Sequence, residues 1–229
     1  MKILGIDTSG KIASVALCDE NTCLAQTTVL TKLTHSQVIL PMVEKVLNDA
    51  SVTLDDVDYF AVADGPGSYT GLRIGISAVK GMCFTLNKKC IGISTLKSLA
   101  YNCIPSKSLI VSVMRARPEI AYFATFESDG EKLQTIKEDC ICSVEEIVKY
   151  LNFTQKDTIL VGDYAKELYE NNFSQSPNVR LSPMTMRMQN ASSLCLAAFA
   201  DENYYTPDKL EVNYLQITKA EKDLQDKQN

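Results

Sequence analysis

The sequence predicts an α/β protein in two lobes, with mixed sheets flanked by helices. Three observations predict it. A glycine-rich loop, Asp64-Gly65-Pro66-Gly67-Ser68-Tyr69-Thr70-Gly71-Leu72-Arg73-Ile74-Gly75, joins a short apolar strand directly to a helix with apolar spacing. Each half of the chain opens with three strand-like segments linked by short turns. Each half then alternates helices with strands, the order expected of parallel crossovers. The expected division is a lobe over 1–104, a second over 105–218 and a polar, disordered tail over 219–229.

In chain order, residues 2–6 read as an apolar strand and Asp7-Thr8-Ser9-Gly10 as a polar turn. Residues 12–18 and 23–30 alternate apolar and polar and complete a meander. An acidic residue at the first turn is similar to the phosphate-binding start of actin-like ATPases, and equally to a plain hydrogen-bonded turn. Thr34 is expected to cap a helix whose apolar stripe is Val38, Ile39, Met42, Val43, Val46 and Leu47. Pro41 inside it predicts a bend or a late start. His35, near the helix start, reads as a surface or capping residue rather than a ligand.

Residues 59–63 form the next strand and 70–87 the next helix, with Ser68 or Thr70 as its cap. Gly65 and Gly67 around Pro66 suit a tight turn. The loop itself has three readings. It could cradle a phosphate at a helix start, although it is neither a Walker A loop nor a dinucleotide fingerprint. Gly71, Gly75 and Ala78 could instead let another backbone approach closely, or the stretch could be an ordinary strand-turn-helix corner. A strand at 90–93 and a helix at 94–102 close this half.

After residues 104–107 the chain restarts with strands at 109–114, 121–126 and 132–137. Ser143 to Glu146 is a capping box opening a helix to about Leu151. A strand at 158–161, a short helix at 165–169 and an apolar helix at 191–200 follow.

Composition narrows the function. Net charge is −5 and no Lys/Arg cluster stands out, which argues against strong independent nucleic-acid binding. No apolar run approaches the roughly 20 residues needed to cross a bilayer. Lys2 and Asp7 interrupt the N-terminus too early for a signal peptide, so a cytoplasmic protein is expected, with its eight cysteines reduced. A single histidine excludes sites that need several imidazoles, and the scattered cysteines give no metal signal.

With these residues in order, the chain resembles the TsaB family, also called YeaZ, over nearly its whole length. The resemblance rests on Asp7-Thr8-Ser9, His35-Ser36 followed by Leu40-Pro41, the loop-helix motif from Gly65 to Gly75, and Tyr214-Leu215. It implies the two-lobed actin-like ATPase, ribonuclease-H-like fold. It also implies a non-catalytic subunit that pairs with a larger sibling, TsaD. With the ATPase TsaE, these proteins place threonylcarbamoyl on the adenosine next to the anticodon of tRNA. The donor, threonylcarbamoyl adenylate, comes from a separate enzyme.

The sibling holds a metal through two histidines four apart. The matching positions here are Thr95 and Leu99, which cannot replace them, so neither a metal nor catalytic residues are expected. The resemblance gives the helices at 34–50 and 70–87 to the sibling, with Val43, Val46, Leu47, Gly71, Leu72, Gly75, Ala78 and Met82 as expected interface residues. Those residues could equally face this chain's own sheet. On the interface reading, Gly75→Arg should abolish pairing and leave the fold intact. No cofactor is expected, ATP or ADP being confined to an interface or to a degenerate cleft at Asp7, Thr8 and Ser9. tRNA would be met through the complex, and a homodimer is the alternative for the chain alone. The rival class is an actin-fold ATPase or phosphotransferase using the cleft at Asp7. Arg115-Ala116-Arg117 departs from the family's usual Asp-Ala-Arg and reverses a charge.

Overall fold

The computed structural model describes residues 1–215, so the expected tail at 219–229 lies outside the described residues. The first sheet is built from β1 (Lys2–Asp7), β2 (Ile12–Asp19), β3 (Cys23–Leu30), β4 (Tyr59–Gly65) and β5 (Lys89–Ser94). Its order is β3-β2-β1-β4-β5, antiparallel across β3-β2-β1 and parallel across β1-β4-β5. Helix α1 (His35–Asp49) connects β3 to β4, α2 (Tyr69–Leu86) connects β4 to β5, and α3 (Thr95–Tyr101) follows β5.

The second sheet repeats this plan. It contains β6 (Leu109–Arg117), β7 (Ile120–Ser128), β8 (Leu133–Ser143), β9 (Thr158–Val161) and β10 (Val179–Leu181). The order β10-β9-β6-β7-β8 is the first sheet's order with each strand replaced by its counterpart. Helices α4 (Val144–Thr154) and α5 (Ala165–Asn172) occupy the two crossovers, and α6 (Ala191–Asp201) closes the series. The repeat is one of topology, carried by alternation and turn placement rather than by matching residues.

The layers follow from which faces are apolar. On β1, Leu4 and Ile6 face one way, into a core shared with Ile39, Met42, Val43, Val46, Ile76 and Val79 of α1 and α2. Ile3 faces the other way, against Ala191, Leu194, Cys195 and Ala198 of α6. Strands buried on both faces become near-continuous apolar runs. In the second sheet, α4 and α5 cover one face, and Leu96, Leu99 and Ala100 of α3 cover the other. Helices α3 and α6 therefore form a middle layer between the sheets. Helix α6 follows the second sheet in sequence but packs on the first, its Ala191 N–H donating to Ser14 Oγ at 3.0 Å.

Most elements fall where the sequence places them. Thr34 caps α1, its N–H donating to the Gln37 side chain at 3.0 Å. The helix starts at once and runs through Pro41, which sits with Gln37 on the exposed side, where water can take the Gln37 carbonyl that Pro41 leaves unpaired. Ser68, not Thr70, caps α2, accepting from Gly71 N–H at 3.2 Å. Ser143 and Glu146 form the expected capping box. Two elements differ. β8 extends to Ser143, past the polar pair Glu138-Asp139, because irregular register against β7 absorbs the interruption. β10, three residues long, is too short to leave a periodic signal.

Candidate functional site: the buried first turn and the exposed helix pair

The glycine-rich loop closes over the first turn. Asp7, Thr8 and Ser9 are fully buried. Asp7 Oδ1 accepts from Ser9 N–H at 2.9 Å and from Ser9 Oγ at 2.6 Å. Thr8 Oγ1 donates to the Gly71 carbonyl at 2.7 Å, and Ser68 N–H donates to the Ser9 carbonyl at 2.7 Å. His35 Nε2 donates to the Gly10 carbonyl at 2.9 Å, bringing the start of α1 onto the same turn. Gly10 itself lies against the side chain of Gln189. The start of α2, the start of α1 and the approach to α6 thus enclose the turn on three sides.

The glycines explain this closeness. A Cβ at Gly71 would collide with the Thr8 carbonyl oxygen, and one at Gly75 would lie 2.5 Å from Thr8 Oγ1. Of the readings open for the loop, close backbone approach is the one realised, and the partner is this chain's own first turn. Burial pushes the Asp7 carboxyl above its ordinary range, against the hydrogen bonds from Ser9 and the charge of His35. A carboxylate that anchors Mg-phosphate must be reachable, and this one is covered by Thr8, Ser9 and the loop.

The expected interface residues divide in two. Val43, Val46, Leu47, Gly71, Leu72 and Gly75 are buried, and the apolar side chains at 43, 46 and 47 fill the core beneath α1 and α2. This corrects their placement on an open surface. The stripe that reads as apolar is the face turned to the sheet, since a surface helix buries its most apolar side. Ala78 and Met82 are half-buried and lie at the margin of that core.

The outer side of the same helices adds exposed residues to two that also touch the core, the buried Ile39 and the half-buried Ala78. Ser36, Ile39 and Leu40 of α1 face Tyr69, Thr70, Arg73, Ile74, Ser77 and Ala78 of α2 across a groove of about 600 Å³. Leu40 is 55% exposed and Tyr69 43%. Farther along α2, Phe84 is 62% exposed, four and seven residues beyond Lys80 and Ser77 on one stripe. Of these outward residues the sequence points to Ala78 for the interface but not to Leu40, Tyr69, Arg73 or Phe84; Leu40 stands outside the periodic stripe, and an apolar residue off the stripe is the signal that could have found it.

A second feature lies between the sheets. Asp64, at the end of β4, rests over Gly92 on β5, and Asp139 of β8 accepts from Ser94 Oγ at 2.6 Å. Burial, and then the charge of Asp139, push the Asp64 carboxyl up to about 7. Burial pushes Asp139 up to about 6, against the Ser94 hydrogen bond.

Thr95 and Leu99, in the positions matching the sibling's histidines, are both buried. Among the described residues no group of three or more His, Cys, Asp or Glu is arranged to hold a metal ion. Arg115 pairs with Glu167 of α5 and stacks 4.3 Å from the Tyr164 ring centroid, so its reversed charge is satisfied within the second sheet and its helices. Among the described residues no helix is long and apolar enough to cross a membrane.

A family model described as TsaD, tRNA N6-adenosine threonylcarbamoyltransferase, matches residues 29–207. The tRNA threonylcarbamoyladenosine biosynthesis protein TsaB of Bacillus subtilis is 30% identical over 162 residues, covering 71% of each chain. The structure of YeaZ from Pseudomonas aeruginosa superposes with a TM-score of 0.79 at 26% identity, covering 93% of this chain and 99% of that one. Ethanolamine utilization protein EutJ from Carboxydothermus hydrogenoformans, at 12% identity, 87% and 90% coverage and a TM-score of 0.52, shares the fold alone. The repeated sheets carry the two-lobed actin-like architecture, the loop-helix motif is folded onto the first turn, and relatives match across most of the chain: it belongs to the TsaB family, also called YeaZ.

Proposed function

We propose that this chain serves tRNA threonylcarbamoyladenosine formation as a non-catalytic subunit, pairing through the outer side of α1 and α2 with a TsaD-type transferase. The role in this tRNA modification follows from family membership. The observation that carries the finer reading is the burial of Asp7-Thr8-Ser9 beneath the chain's own loop, with an apolar groove left open on the outside of the same two helices. The polar turn is occupied from within, and the unsatisfied surface is apolar. Exposed apolar area bounded by polar residues suits protein association.

In this role the chain acts by binding. It favours the transferase's competent arrangement only to the extent that it binds that arrangement more tightly. A TsaE-type ATPase and tRNA are met in the assembled complex, which agrees with the chain's net charge of −5. Alone, the same face would pair with a second copy in a two-fold arrangement.

The experiment is a titration with the TsaD-type subunit and the TsaE-type ATPase from the same source. Complex mass is followed by sedimentation and modified tRNA by mass spectrometry. A one-to-one complex, with transfer that requires both this chain and the transferase, is the expected result. No complex, with transfer unchanged when this chain is omitted, overturns the reading. Steady ATP turnover by the pure chain, lost in Asp7→Asn, would replace it with an actin-fold ATPase.

A further inference from the structure

After α6 the chain runs back over the first sheet and ends its described course at the start of α2. Tyr205 pairs with Cys90 at the edge of β5 through two backbone hydrogen bonds of 2.9 Å. Leu210 is buried in the core beneath α1 and α2. Asn213 N–H donates to the Asp64 carbonyl at 2.8 Å, next to the glycine-rich loop. These contacts fix the strap on both sides of a 3₁₀ turn at Pro207–Lys209 and deliver Tyr214 to the rim of the groove.

There Tyr214 meets two residues of α2. Its ring stacks on Tyr69 with centroids 5.0 Å apart and planes 23° from parallel. Arg73 Nε donates to the Tyr214 hydroxyl at 2.7 Å. The guanidinium carbon lies 4.0 Å from the Tyr69 centroid and 5.9 Å from that of Tyr214. Tyr69 and Tyr214 are 43% and 39% exposed, so the cluster is open to a partner. Among the described residues the terminal NH₂ groups of Arg73 have no acceptor, and Arg73 is the only charged residue lining the groove.

We propose that Tyr214 positions Arg73 as the polar anchor of the groove, and that the occupant is a helix of the TsaD-type partner carrying an apolar ridge and one carboxylate. The inference rests on the pairing proposed above. The groove walls, Leu40, Ile74 and Ala78 above the buried Ile39, receive the ridge, and the guanidinium fork receives the carboxylate. A single cation in an apolar setting complements one acid on a protein. A nucleic-acid strand requires several cations along a track. Holding Arg73 by stacking and by its Nε before the partner arrives lowers the ordering cost of binding, and Arg and Tyr dominate binding hot spots.

The test uses the full chain and the TsaD-type subunit, with affinity measured by calorimetry at low and high salt. Arg73→Ala is expected to weaken pairing about tenfold or more. Arg73→Glu is expected to weaken it further, because it opposes the partner's acid. Tyr214→Phe keeps the ring stack and removes the hydroxyl, and is expected to weaken pairing about fivefold with an unchanged melting temperature. The double variant Arg73→Ala/Tyr214→Phe should be no weaker than Arg73→Ala alone, because the two residues act as one unit. The loss in Arg73→Ala should shrink at high salt. If the wild-type chain pairs and Arg73→Ala and Arg73→Glu pair equally well, the anchor is refuted while the pairing stands. If both variants pair normally but the complex loses tRNA, Arg73 belongs to a nucleic-acid contact and the assignment is overturned. If the wild-type chain does not pair at all, the underlying reading fails and the anchor with it.

Discussion

The hydroxyl of Thr8 donates to the carbonyl of Gly71 at 2.7 Å, joining the first turn of the chain to the first turn of α2. This contact requires bare backbone on the helix, since a Cβ at Gly71 would overlap the Thr8 carbonyl. Gly75, one turn on, faces Thr8 Oγ1, Val62 and Ile6. Gly75→Arg therefore places a long charged side chain into a closed core. A loss above about 4 kcal/mol is expected, near the whole stability of a domain. The expectation that this variant would fold and fail only in pairing is corrected: it should give no soluble, cooperatively melting protein. Gly71→Ala forces a backbone carbonyl aside, so it should lower the melting temperature strongly, at a cost at or above about 3 kcal/mol from overpacking. Thermal melts of both variants check this, and a Gly75→Arg protein melting like wild type would contradict the packing described.

The interface is instead to be tested from outside. Leu40 is 55% exposed and borders the groove, so Leu40→Arg changes little in the fold, within about 0.5 kcal/mol. It should weaken pairing with the transferase at least about tenfold, by placing a charge against an apolar ridge. Sedimentation of the mixture, with a thermal melt of the variant alone, separates lost pairing from lost fold.

Asp7 offers the sharpest contrast between a binding subunit and an ATPase. Its Oδ1 accepts twice from Ser9, and its Oδ2 is buried without a partner. Asparagine keeps the acceptor and removes a group that is costly to ionise there. Asp7→Asn should melt no lower than wild type at pH 8, and threonylcarbamoyl transfer by the complex should change less than about twofold, because no chemistry is assigned to this carboxyl. A large loss of transfer in a well-folded Asp7→Asn protein would return function to the first turn.

Much of this was legible in the sequence. Strand alternation and the crossover order gave the first sheet and most of the second, β10 excepted, and the Ser143 capping box gave the start of α4, because each is a local pattern with a local physical cause. The loop-helix motif pointed to the family by resemblance, its local physics leaving several readings open. What the sequence could not reveal was direction. Val43, Val46 and Leu47 form an apolar stripe whether it meets a sheet or a partner, and only the tertiary fold shows that the sheet takes it. Gly71 and Gly75 announced a close approach without naming Thr8 as the neighbour. Arg73 and Tyr214 are 141 residues apart, and no periodicity connects them.

The carboxyls of Asp64 and Asp139 predict a pH dependence of stability. Both are raised, Asp64 to about 7 and Asp139 to about 6, chiefly by burial. Asp139 adds its charge against Asp64, and Glu138 against Asp139, while Lys97 and the Ser94 hydroxyl oppose the rise at Asp139. Tyr205 shares the space over Gly92 with Asp64. A carboxyl with a folded pKa above its unfolded value binds protons more tightly in the native state. Its contribution is fully present below about 4 and is lost as pH rises through the folded value. Stability should therefore fall between about pH 4 and pH 7 along this branch and level off above it. Asp64→Asn should flatten that slope and melt higher than wild type at pH 8. It should give little or no gain at about pH 4 and below, where the carboxyl is protonated in both the folded and the unfolded chain. Melting temperatures of the wild type, Asp64→Asn and Asp139→Asn across this range check the argument. Parallel curves for all three would mean that neither carboxyl carries the proton, and that the space between the sheets is wetter than its geometry indicates.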